Sequence, residues 1–178
     1  MRTELGLEKY AAFDPFALAE HLLIPCESIE NYATEDGCEW AVDHLTEKGC
    51  NEFSAAIVYR GTRGRILYNG QNSPARMRSD IAHELAHELS HVLLEHDPGP
   101  VRGEGKSRTW NPEQEREAAW MGGVLLVPEH VALRIARRDT PITGAASSYG
   151  VSVDLMQWRL RMSGALIRVE RARASKGR

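Results

Sequence analysis

The segment IAHELAHELSHVLLEH, Ile81 to His96, constrains the fold more than any other stretch. Ile81, Leu85, Leu89 and Leu93 recur every fourth residue, which on an α-helix makes one apolar stripe suited to burial. His83, His87 and His91 keep the same interval, so they form a second row that can face a cleft. The flanks punctuate this helix. Ser73 and Pro74 supply a cap and a first helical position, and Asp97, Pro98, Gly99 and Pro100 stop it near Glu95 or His96.

The histidine row contains HExxH twice, overlapping: His83, Glu84, His87, and then His87, Glu88, His91. Histidines four apart on a helix lie one turn apart on one face, so their imidazoles can converge on one ion. The glutamate after the first histidine then stands beside the ion, placed to take a proton from an activated water. The expected ion is zinc, which in catalytic sites takes three protein ligands and keeps its fourth position open.

The third ligand is expected from the second strong helix, NPEQEREAAWMGGVLLVP, with Asn111 as cap and Pro112 at its start. Glu115 stands three residues before a small residue, Ala118, that permits close helix packing, and Glu117 is the alternative. Two residues apart on a helix, the two cannot point the same way.

The rest of the chain reads as α+β, mostly helical with a small antiparallel sheet. Asp14 and Pro15 open a first helix in FDPFALAEHLLIPC. Asn31 to Asp36 is polar and turn-rich, and Glu39 to Glu47 is a second helix. SAAIVY and RILY, separated by RGTRG, form a hairpin. Beyond Pro128 come a basic helix, Glu129 to Arg138, and a helical pair, Ala145 to Tyr149 and Val153 to Arg161.

One domain over 1–178 is expected: N-terminal helices and hairpin (1–72), metal-binding helices (73–128) and a basic helical segment (129–178). The charge is uneven, with 12 basic against 21 acidic residues up to 128 and 10 against 4 thereafter. Most of the late positive charge is expected to lie on a solvated helix face with a frayed tail. AASSYGVSVDLMQWRLR has a helix-turn-helix flavour through Trp158, Arg159 and Arg161, but the chain as a whole is acidic and nucleic-acid contact is not expected. Cys26, Cys38 and Cys50 are odd in number and read as reduced, partly buried thiols. No membrane span or signal peptide is seen, so a cytoplasmic protein is expected. His21, His44 and His130 carry no surrounding pattern and are expected at the surface, with His96 at a helix end.

Several segments together resemble the ImmA/IrrE family of metallopeptidases: FDPFALAEHLLIP, SPARMRSDIAHELAH, HELSHVLLEH, EREAAWMGGVLLVP and SSYGVSVDLMQWRLRMSG. The resemblance implies a zincin-like, gluzincin-type domain. It also implies zinc-dependent endopeptidase activity, often directed at a repressor controlling mobile-element or stress-response genes. The ligands it implies are two histidines of one HExxH copy plus Glu115. Ala119 departs from the family, which often has Asn or Asp there to support a ligand from behind.

The doubled motif is the other departure, and a four-residue insertion accounts for it. His83 and His91 would stand about 12 Å apart along the axis, too far for one zinc, so His87 is a ligand in either register. The second copy is preferred because Val92, Leu93 and Leu94 follow it as a buried continuation. The expected site is therefore His87, His91 and Glu115 with Glu88 as base; His83, Glu84 and Glu117 are the alternatives. A zinc-structured binding or sensing module without proteolysis is the competing function, with a DNA-associated regulator behind it.

Overall fold

Asp14 opens the first helix as its sequence requires: its carboxylate accepts the Phe16 N–H at 3.2 Å, and Pro15 takes the first turn of α1 (Pro15–His21). The computed structural model describes residues 1–36, 39–46, 53–60, 63–93 and 111–176, with side chains described over those ranges except 34–36, 60, 91–93 and 176. After β1 (Cys26–Ser28) come α2 (Ile29–Asp36), α3 (Glu39–Thr46), β2 (Ala55–Arg60) and β3 (Arg63–Tyr68). Then follow α4 (Pro74–Leu93), α5 (Pro112–Leu126), α6 (Glu129–Arg137), α7 (Ile142–Tyr149), α8 (Val153–Met162) and α9 (Ala165–Lys176).

The architecture is α+β, as expected, with two corrections. The hairpin β2–β3 is antiparallel, but β1 joins β3 in parallel, so the sheet is mixed with order β1-β3-β2. Three residues of β1 carry too short a pattern to announce a strand; pairing with β3 creates it. Asn31 to Asp36, read as turns, lies within α2, where Ser28 Oγ accepts the Asn31 N–H at 3.3 Å. The expected solvated helix face near the C-terminus is α9, on which Arg168, Arg171 and Arg173 are exposed. Cys38, Cys50, His96 and most of the loop from Gly99 lie outside the described residues.

The core gathers around the apolar stripe of α4. Ile81 and Leu85 are wholly buried and Leu89 nearly so, packed with Phe13, Leu18, Ile66, Leu126 and Val131. Burying each such side chain contributes about 1.5–3 kcal/mol, enough to orient the helix. The Leu93 side chain lies outside the described set.

Arg78 anchors the start of α4. Its guanidinium donates to the Phe13 carbonyl and, at 3.3 Å, to Asp14. It also lies against Gly150, where φ is +63° and an added Cβ would stand 2.9 Å from Arg78 Nε. Gly150 ends α7 in the left-handed conformation, and Ser152 then caps α8 by accepting the Leu155 N–H at 3.1 Å. The α7–α8 pair exists, but Arg159 is 2% exposed and donates from Nε to the Val127 carbonyl at 2.9 Å. It is a core strut, unavailable to a nucleic acid.

Candidate metal and catalytic site

Three side chains of the expected chemistry converge between α4 and α5. His83 Nε2 and His87 Nε2 are 3.1 Å apart, and Glu115 Oε2 lies 3.1 Å from the first and 3.4 Å from the second. In a tetrahedral zinc site with bonds near 2.0–2.2 Å, ligand atoms stand about 3.3–3.5 Å from one another. The donor set and its spacing therefore fit a divalent ion that accepts nitrogen and oxygen, with a fourth position open. Among the described residues this is the group of His, Cys, Asp and Glu side chains able to share one ion.

The helices fix this convergence in different ways. His83 and His87 belong to one turn of α4, with ring centroids 4.7 Å apart and planes perpendicular. Glu115 sits in the first turn of α5, which Asn111 caps by accepting the Glu113 N–H at 2.9 Å. Close approach of the helices needs small residues: Ala118 is buried, and a Cβ on Gly122 would fall 3.1 Å from the Ala82 carbonyl oxygen and 3.2 Å from the His83 amide nitrogen. Two adjacent glycines inside a helix cost about 1 kcal/mol each relative to alanine, and in the sequence that cost is the visible sign of such packing.

The sequence-preferred pair was His87 with His91. The backbone of His91 is in α4, but its side chain lies outside the described residues. Glu117 is half-buried on α5 and does not belong to the converging group. Glu84 lies beside the group, and its Oε2 accepts the Ile57 backbone N–H at 3.1 Å. Glu88, one turn further on, is half-buried. His21 and His44 are exposed as expected, whereas His130 is half-buried and donates to the Lys9 carbonyl at 2.6 Å.

Strand β2 is the sheet edge nearest Glu84. Ile57 faces Ile66, whose N–H goes the other way, to the Pro25 carbonyl at 2.9 Å. Ile57 therefore turns its own N–H outward, and by the alternation of an antiparallel ladder Ala55 and Tyr59 do the same.

A cleft of about 630 Å³ opens here. Ser54, Asp80, His83 and Glu84 line one side, and Asp154, Leu155 and Trp158 of α8 line the other. Trp158 is seated over Gly123, where a Cβ would come within 2.4 Å of the indole. Burial raises the Asp80 carboxyl above its ordinary range, against the pull of Arg76 at 3.6 Å. Neither Asp80 nor Trp158 was singled out for the site from sequence, since nothing in local spacing tells that α8 returns to α4.

Ala119 is exposed and lines the same cleft, offering no hydrogen bond to a ligand. No helix of the described residues is long and apolar enough to cross a membrane. A family model described as the IrrE N-terminal-like domain, Peptidase_M78, matches residues 44–161. No curated protein and no solved structure matches the chain.

Proposed function

Because the chain belongs to the Peptidase_M78 family of IrrE N-terminal-like domains, which supports a protease function in general, we propose that it is a zinc-dependent endopeptidase of regulatory type. In this reading His83, His87 and Glu115 hold the metal and Glu84 is the general base. The observation that carries it is the 3.1–3.4 Å triangle of ligand atoms. In this reading the register is the first HExxH copy, and His91 is outside the ligand set.

Zinc in such a site supplies Lewis acidity toward the scissile carbonyl and toward water. The chain's own residues do the rest. Glu84 accepts a proton on its carboxylate and passes it to the departing amine, a role for which the Ile57 N–H holds Oε2 in place. An extended substrate segment pairs with the outward groups of β2 at Ala55 and Tyr59. Trp158 and Leu155 pack against a substrate side chain and exclude water from the cleft. The substrate is another protein, and a DNA-binding repressor of a mobile element or stress response is the class that the family resemblance favours. The working compartment is the cytoplasm, and the whole chain acts as one metallopeptidase domain.

Metal analysis of the wild type, His83→Ala and His91→Ala tests the assignment. One zinc per chain should be lost in His83→Ala and kept in His91→Ala. The reverse pattern would return the site to the second copy. Incubating the zinc-loaded protein with candidate repressors tests proteolysis; absence of cleavage with zinc retained would favour the non-proteolytic binding module.

A further inference from the structure

Residues 8–11 form neither helix nor strand, yet each carbonyl of this stretch is held by a side chain from elsewhere. Arg2 Nη2 donates to Glu8 O at 3.2 Å and to Ala11 O at 2.5 Å. His130 Nε2 donates to Lys9 O at 2.6 Å, and Tyr149 Oη to Tyr10 O at 3.0 Å. Four consecutive backbone acceptors are thus taken by donors from the N-terminus, α6 and α7, and an irregular segment is made rigid.

What this rigidity holds is a concentration of positive charge. The Tyr10 ring has Arg134 Cζ 4.2 Å from its centroid and Lys9 Nζ at 5.5 Å, so two cations share one aromatic ring. Together with His130, Arg137 and Arg138 they line a cavity of about 480 Å³ whose lining includes no carboxylate. Among the described residues no acidic group lies within ion-pair distance of Lys9, Arg134, Arg137 or Arg138.

We propose that this cavity is a binding site for a small phosphate-bearing anion carrying two or more phosphate groups. Guanidinium forks match phosphate oxygens bidentately, and the volume falls within the range of small-molecule sites. The neighbouring basic cavity decides between a compact ligand and a nucleic-acid backbone. It shares Leu133 and Arg137 and adds Arg168 and Arg173, but Arg168 is paired with Glu129 and Arg173 with Asp139. Uncompensated charge is therefore gathered at one point instead of being strung along a groove. Lys9 and Tyr10 lie outside the stretch matched by the family model, and the lining shares no residue with the cleft at His83. The inference stands independently of the peptidase reading.

Titration calorimetry with inorganic pyrophosphate tests it on the full chain, comparing the wild type with the Arg137→Gln/Arg138→Gln double variant. Both arginines are exposed, and circular dichroism checks that the fold is kept. Any chelation of metal by pyrophosphate contributes equally to both proteins, so their difference reports the cavity. At least tenfold weaker binding by the double variant is expected, with Arg173→Gln changing affinity less than twofold. Equal affinity in wild type and double variant would overturn the proposal. So would a 20-base-pair DNA duplex binding more tightly than pyrophosphate with dependence on Arg168 and Arg173.

Discussion

Glu84 on α4 and Ile57 on the sheet edge are joined by a 3.1 Å hydrogen bond from the Ile57 amide to the Glu84 carboxylate. In the proposed mechanism that bond ties the strand that would hold a peptide to the residue that would take a proton from water. It spans 27 positions of sequence and connects two elements that local patterns treat separately.

Changing Glu84 to Gln keeps the side chain's size and removes its basicity. Peptidase turnover should fall by about 10²–10⁴-fold, while zinc content stays at the wild-type level. Glu88→Gln should leave turnover within a few-fold of wild type. Steady-state kinetics alongside metal analysis reads both, and an inactive Glu88→Gln beside an active Glu84→Gln would place the base in the other copy.

At Gly122 the added Cβ of Gly122→Ala meets the backbone of Ala82 and His83 at 3.1–3.2 Å, atoms that cannot swing aside. Helix propensity gains about 1 kcal/mol, but overpacking costs roughly 1–3 kcal/mol. Because the strain separates α4 from α5, Glu115 moves from the histidines. Zinc affinity should drop roughly tenfold or more, measured by competition with a chromogenic chelator, and a variant with unchanged affinity would show that the helices tolerate the methyl.

Trp158 lines the cleft and is not one of the three residues of the ligand triangle. Trp158→Ala should therefore raise KM by roughly five- to thirtyfold, the worth of about 1–2 kcal/mol of apolar contact, and leave kcat nearly unchanged. A loss confined to kcat would contradict its place as a binding surface.

Cys26 is half-buried, and burial pushes its thiol up to about 11. Its thiolate at pH 8 is then about a hundredfold scarcer than that of an unperturbed cysteine near 9. The sign is that of a group kept neutral by folding: stability associated with the neutral thiol is full at neutral pH and is lost as pH rises through 9 toward 11. Peptide-resolved mass spectrometry after alkylation at pH 8 should show Cys26 reacting about a hundredfold faster in denaturant than in the native protein.

Much of the fold was legible because it rests on local chemistry. The caps at Asp14, Asn111 and Ser73, the proline starts and the four-residue stripe of α4 each specify an element through neighbours within one turn. The strand β1 and the helix α2 were not legible. Three residues of strand gain stability only from Ile66, Leu67 and Tyr68 across the sheet, and a polar helix of 8 residues depends on what it packs against.

By itself the sequence determined the chemistry available: a helix carrying histidines at four-residue spacing, a second helix opening with glutamates, and membership in a peptidase family with residues 44–161 matched. It could not say which pair of histidines meets Glu115, because His83, His87 and His91 are equivalent under the helix repeat. Among the described side chains, the tertiary structure brings His83 and His87 to Glu115. The seating of Gly122 against Ala82 sets where α5 crosses α4, and that crossing brings Glu115 to His83 and His87. A repeat along one helix has translational symmetry, and contact with a second helix at one point breaks it.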